Sequence, residues 1–175
     1  RAGADTRILI GWAAVALQRG DYQGAQARLE RVRELTGERQ LPVMWFWARS
    51  LAAAGQEALD EAETLLRRGL QIYPRSPVLR NNLAALLELI GETEHAEEIL
   101  RETLAEEPAL PQIFKNLGDL LYRNDRYDEA WDAYQRAVKI APALGDDVYF
   151  KLGNIAWKRG DRDRAGAFWK TTLGM

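Results

Sequence analysis

The chain has 175 residues, with 24 Lys plus Arg, 26 Asp plus Glu, one His and no Cys, for a formal net charge of −2. This is the composition of a soluble chain with enough apolar residues to bury a core, and it excludes disulfides, thiolate chemistry, sulfur-ligated zinc and paired-histidine metal sites. The acidic balance argues against a grip on nucleic acid through bulk positive charge, and no apolar run approaches the ~20 residues of a membrane span.

Apolar residues recur at intervals of three and four rather than two, so helices are expected throughout. A first pair of helices is carried by Leu9, Trp12, Ala13 and Ala16, then by Ala25 and Leu29, with Gly20 in the turn and Gly37 beyond. In the second pair Met44, Trp47, Ala48 and Leu51 are expected to face the core, followed by Ala62 and Leu66. Gly55 is expected to make its turn, which carries two extra residues before Ala58, and Pro74 ends the pair. Ser76-Pro77 then offers an N-cap followed by proline at the first helical position. The third pair carries Leu83, Ala84 and Leu87, then Ala96 and Leu100, with Gly91 between them. Pro111 opens the fourth pair: Phe114, Leu117, Gly118 and Leu121, a polar turn through Asp125, then Ala130, Tyr134 and Ala137. Pro74, Pro108 and Pro142 stop the second helix of their pairs, because proline disfavours helical geometry in the residue before it. The last pair carries Tyr149, Leu152, Gly153 and Ala156, turns at Gly160, and ends on a helix from about Arg162 to Leu173. On that helix Phe168 and Trp169 are expected to stand uncovered.

Several residue types share one period. Pro74, Pro108 and Pro142 are 34 apart, as are Ala62, Ala96 and Ala130. Phe114-x-x-Leu117-Gly118-x-x-Leu121, followed by Ala130-x-x-x-Tyr134 and Pro142, resembles a tetratricopeptide repeat (TPR). Arg80-x-x-Leu83-Ala84-x-x-Leu87 with Ala96, Leu100 and Pro108 resembles it too, and the other three pairs do so more loosely. The resemblance implies an all-α fold, a right-handed α-solenoid of about ten helices in antiparallel hairpins. It implies one domain over 1–175, with repeats at about 6–39, 41–76, 77–110, 111–144 and 146–175. The start at Arg1 rather than Met, and the uncovered last helix, lead us to expect a fragment of a longer protein.

Arrays of this family curve so that the first helix of each pair lines a concave face, which holds an extended peptide or a helix. Helical phase assigns to that face Trp45, Phe46 and Arg49 in the second pair and Asn81 and Asn82, beside Ala85 and Glu88, in the third. It assigns Lys115, Asn116, Asp119, Tyr122 and Arg123 in the fourth, and Phe150, Lys151, Asn154, Trp157 and Lys158 in the fifth. The first pair offers Ile10, Gly11, Ala14 and Leu17. Trp45, Phe46, Tyr122, Phe150 and Trp157 are large apolar groups outside the core places, which calls for a cover. Asn82 and Asn116 share a place in consecutive repeats, and an asparagine amide can pair with any peptide backbone. Basic candidates outnumber acidic ones, so an acidic peptide or a free C-terminal carboxylate is expected to be favoured. The carboxylate clamp of chaperone-binding TPR proteins is absent: Trp45 and Arg49 stand where it needs Lys and Asn, and Gln112 and Asn116 where it needs Lys and Arg.

No catalytic constellation, metal site or cofactor loop is found. His95, among Glu94, Glu97 and Glu98, reads as an exposed helical residue. The expected function is a non-catalytic scaffold that binds a peptide or helix of a partner protein. The alternative is self-association through exposed repeat ends or the groove. The lack of cysteine suits the cytoplasm and equally a periplasm.

Overall fold

The computed structural model describes residues 2–37 and 41–172. Leu173, and positions 38 and 39 at the close of the first expected repeat, lie outside the described residues. Among the described residues there are ten helices and no strand, divided between two compact units, Arg1–Gly91 and Glu92–Met175. The first unit holds α1 (Ala2–Gln18), α2 (Tyr22–Thr36), α3 (Val43–Ala54), α4 (Leu59–Ile72) and α5 (Pro77–Leu89). The second holds α6 (Thr93–Glu106), α7 (Pro111–Arg123), α8 (Tyr127–Ile140), α9 (Asp146–Lys158) and α10 (Arg162–Thr172).

Local chemistry sets the helix starts. Asp21 caps α2 by accepting from the Gly24 N–H at 2.8 Å, satisfying a donor that the first turn leaves orphaned. Ser76 caps α5 with Pro77 at its first position, and Pro111 opens α7. In the first unit α1 pairs with α2 and α3 with α4; α2 also packs on α3 and α4 on α5, so that α1, α3 and α5 lie side by side. In the second unit α7 pairs with α8 and α9 with α10, with α6 on α7 and α8 on α9.

A fixed ruler runs through these pairs. Ala13 and Ala25, Ser50 and Ala62, Ala84 and Ala96, Gly118 and Ala130, and Gly153 and Ala165 are all buried, and each pair is twelve residues apart. Within each unit, small residues at these places let the axes of α1 and α2, α3 and α4, α7 and α8, and α9 and α10 approach closely. At Gly118 a Cβ would come within 2.6 Å of the fully buried Tyr134 ring, so the glycine is what admits that ring. Seven residues beyond each first small residue comes a left-handed turn: Gly20 (φ 73°), Glu57 (φ 61°), Gly91 (φ 89°), Asp125 (φ 58°) and Gly160 (φ 80°).

The ruler corrects the second pair. Its small residue is Ser50, 2 % exposed, rather than Ala48, and its turn residue is Glu57 rather than Gly55, whose φ is −68°. The 34-residue period therefore holds from Ser50 and Glu57 to Gly118 and Asp125, with no extra residues in the turn of the second pair, and lengthens to 35 at Gly153 and Gly160. Gly55 has a different cause: a Cβ there would lie 2.1 Å from the Tyr22 ring.

The face that precedes each small residue also repeats. Trp45 and Ala52 on α3, Leu79, Leu83 and Leu86 on α5, Ile113, Leu117 and Leu120 on α7, and Val148, Leu152 and Ile155 on α9 are all buried. The matching residues of α1 are Ile8, Trp12 and Val15, which are 50 %, 60 % and 44 % exposed. Trp12 was expected in the core, but it is exposed, on the face of α1 that corresponds to the buried faces of α3, α5, α7 and α9. Phe168 and Trp169 are half-buried, where they were expected to stand uncovered. The Phe168 ring meets Trp131 edge-on at 5.6 Å, and Trp169 lies beside Trp157 at 5.8 Å and against Gly153.

Candidate interaction faces

The inner face of the first unit is formed by α1, α3 and α5. Sequence phase placed Trp45, Phe46 and Arg49 there, and the two-residue shift in α3 moves all three. Trp45 and Phe46 are core residues, 4 % and 0 % exposed. Their rings meet edge-on at 5.2 Å, and the Trp45 indole N–H donates to the Leu29 carbonyl at 2.7 Å. Arg49 occupies the place filled by Leu83, Leu117 and Leu152 in later repeats. Its Nη2 pairs with Glu61, while its Nη1 is buried without a partner. The residues that do face inward are Trp47, Leu51 and Ala54, two of which sequence periodicity had assigned to the core.

These residues join two hollows into one apolar trough. The first, of about 400 Å³, lies between α1 and α3 and is lined by Ala14, Leu17, Gln18, Tyr22, Trp47, Leu51, Ala54 and Gly55. The second, of about 160 Å³, lies between α3, α4 and α5, and it shares Leu51 and Ala54 with the first. Asn82, Ala85, Leu86 and Leu89 form its α5 wall, and Leu89 is 68 % exposed. One N–H of the Asn82 amide donates to the Val78 carbonyl at 2.7 Å, which leaves its second N–H and its Oδ1 at the trough wall. Asn81, beside it on α5, is half-buried and stays outside both linings. Ser50, on the trough floor, donates to the Trp47 carbonyl at 2.8 Å.

The second unit gathers its expected site residues on α7 and α9, but in a different chemistry. Lys115 Nζ lies 3.0 Å from Asp119 and 2.7 Å from Asp147. Lys151 Nζ lies 2.5 Å from Asp119, whose Oδ1 also accepts from the Tyr134 hydroxyl at 2.7 Å. Burial alone would raise the Asp119 pKa, but hydrogen bonds from Lys151, Tyr134 and Lys115 outweigh it and hold the carboxyl below its ordinary value. Burial likewise disfavours the Lys115 ammonium, and the bonds to Asp147 and Asp119 reverse that and raise its pKa. For Tyr134, burial and the Asp119 carboxylate push in one direction, upward, so the phenol stays protonated and donates.

The remaining candidates surround this cluster. Asn116 accepts from Gln112 at 3.0 Å. Asn154 bridges two aromatic residues, donating to the Tyr122 hydroxyl at 3.4 Å and accepting from the Trp169 indole at 3.3 Å. Lys158 sits 4.4 Å over the Tyr127 ring, which itself meets Tyr122. Arg162 covers Trp157 at 5.5 Å, leaving that ring 52 % exposed, and Phe150 is 53 % exposed. Arg123 is exposed at the end of α7. His95 is exposed, with Nδ1 2.9 Å from Glu92. No helix among the described residues is long and apolar enough to cross a membrane.

Comparison with known proteins supplies the family. Tetratricopeptide-repeat models match residues 10–77, 53–117 and 111–144. A small glutamine-rich tetratricopeptide repeat-containing protein 2 of Mycosarcoma maydis is 28 % identical over 101 residues, covering 55 % of this chain and 29 % of that protein. The type IV pilus assembly protein PilF of Pseudomonas aeruginosa is 32 % identical over 82 residues, covering 47 % of this chain and 31 % of PilF. The chain thus spans less than a third of the length of these two relatives. A PilF structure superposes with a TM-score of 0.86 at 16 % identity, over 99 % of this chain and 77 % of that one. MamA from Desulfovibrio magneticus gives 0.72 at 18 % identity, over 99 % and 96 %; at such identities the likeness shows the fold alone. Hairpins on a fixed ruler, and family matches that together run from residue 10 to residue 144, lead to one conclusion: the chain belongs to the tetratricopeptide-repeat family.

Proposed function

We propose that this chain is a non-catalytic protein-interaction module that holds a segment of a partner protein in the trough of its first unit. The observation that carries this reading is the run of Ala14, Leu17, Trp47, Leu51, Ala54, Ala85 and Leu89 along one open face. A solvent-facing apolar strip rimmed by polar residues costs solubility unless a partner covers it. Lys115 and Lys151, two of the cations that favoured an acidic partner, are matched by Asp119 and Asp147. Apolar contact in the first unit is therefore the better-supported basis of recognition. A direct test selects displayed peptides on the intact chain and measures their affinity for Leu51→Lys. A loss of tenfold or more is expected, and unchanged affinity with an unchanged melting curve would refute the trough as the site.

Self-association is a second reading, and it has its own observation in the exposed Ile8, Trp12 and Val15 of α1. It predicts a sedimentation mass that rises with concentration and falls to that of the monomer in Trp12→Glu. A mass that stays monomeric at high concentration would dismiss it.

A further inference from the structure

The exposed apolar face of α1 is flanked by charges that match it to itself. We infer that a second copy of this chain covers it, the two α1 helices packing antiparallel about a two-fold axis at Trp12. This rests on the self-association reading proposed above and deepens it, by naming the surface, the orientation and the number of chains.

The face is unfilled by the standard of the same chain. In the first unit α2 packs on α3 and α4 on α5; in the second α6 packs on α7 and α8 on α9. Ile8, Trp12 and Val15 hold the places that are buried on α3, α5, α7 and α9, yet all three are exposed. What such a face is shaped to meet is one more helix. Gly11 flanks the three residues, exposed, with nothing within 4 Å of where a Cβ would stand, so a helix can come close beside it.

The charges decide which helix. Asp5, Ile8, Trp12, Val15 and Arg19 recur at alternating intervals of three and four, the spacing of a seam between two packed helices. Asp5 lies in the first turn of α1, and Arg19 prolongs the last one by donating its backbone N–H to the Ala16 carbonyl at 3.0 Å. Both side chains are exposed, and among the described residues neither meets an opposite charge. Each is seven residues from Trp12, roughly 10 Å along the axis. A half-turn about Trp12 therefore sets Asp5 level with the other copy's Arg19, and Arg19 level with its Asp5. Ile8 and Val15 exchange in the same way, so the seam is apolar in the middle with an unlike pair at each end. Parallel packing would instead set Asp5 against Asp5 and Arg19 against Arg19. The antiparallel arrangement also opposes the two helix dipoles. Such a contact uses the same patch on both chains and closes at two of them. One Ile, one Trp and one Val per copy make a small interface beside the ~800 Å² per partner of a standard one, so half-association is expected at roughly 10–100 µM.

Sedimentation equilibrium of the intact chain at low salt, where surface charges are least screened, tests the inference. A monomer–dimer equilibrium is expected, weakened about fivefold or more by Asp5→Arg and likewise by Arg19→Asp. The two variants mixed in equal amounts should regain the parent's affinity, and so should one chain carrying both substitutions, because each again puts unlike charges at both ends of the seam. Circular dichroism would verify that these exposed positions leave the fold intact. Dimers that are lost in Trp12→Glu but indifferent to the charge reversals would overturn the antiparallel pairing and leave self-association standing, as would assemblies larger than two. A parent chain that stays monomeric at about 0.5 mM would overturn both.

Discussion

Asp119 holds together the polar face of the second unit, and its removal has a calculable signature. Its side chain is 12 % exposed and receives Lys115, Lys151 and the hydroxyl of the fully buried Tyr134. Asp119→Ala strands the Tyr134 hydroxyl in the core, a penalty of about 1–3 kcal/mol. It also leaves two partly buried ammonium groups to share Asp147, adding up to about 1 kcal/mol, so a total of roughly 1–4 kcal/mol is expected. Tyr134→Phe alone should cost about 1 kcal/mol, since the carboxylate keeps both lysines. In the double variant no stranded hydroxyl remains. The lysine contribution cancels between Asp119→Ala and the double variant, so the cycle should return a coupling of about 2–4 kcal/mol, the stranded-hydroxyl penalty plus the cost of Tyr134→Phe. Urea unfolding of the four proteins, followed by circular dichroism, measures it. Additivity within ~0.3 kcal/mol would refute the claim that the phenol–carboxylate bond stabilises this face.

Three further outcomes are expected. The Asp119 pKa is depressed in the folded state, so its contribution is complete above the unfolded carboxylate value and is lost as pH falls through the lower folded one. Acid titration below about pH 4 should accordingly destabilise the chain, and Asp119→Asn should flatten that limb of the stability curve. Glu57 holds a left-handed φ of 61° without help from a glycine, so Glu57→Gly should stabilise by about 0.5–1 kcal/mol, visible as a higher urea midpoint. Arg49→Leu removes a buried unpartnered Nη1 and restores the residue type of the later repeats, at the loss of a half-exposed pair with Glu61. A gain of about 1 kcal/mol is expected, and a loss of that size would mean the guanidinium is better accommodated than its surroundings indicate.

Much of this molecule could be read from its residues. The period of 34, the proline stops, the Ser76 cap and the buried leucines of α5, α7 and α9 at the expected places all emerge from spacing alone. The second pair was misread because a solvent-facing apolar strip imitates a core. Trp47 and Leu51 are apolar at helical spacing, Ala48 is small, and Gly55 looks like a turn, so the pattern closed two residues early. The buried small residue is a serine and the turn residue a glutamate, neither of which announces its role. The twelve-residue interval to Ala62 carried the signal. The neutralised charges of the second unit were hidden for another reason: Asp119 meets Lys151 across 32 residues of chain, and no local pattern encodes that meeting.

The constancy of spacing inside each hairpin has a counterpart in the junctions between hairpins. Four residues separate α4 from α5 and α6 from α7, but five separate α8 from α9, where Gly145 at φ 146° takes up the surplus. Length can therefore drift at the seams without disturbing any helix pair, whereas a single residue added between Gly118 and Ala130 would rotate one partner by about 100° and turn Tyr134 out of its seat. Engineered insertions, fusions or tags belong at Ala141–Gly145, and lineages of this chain should differ in length there before they differ anywhere within a pair.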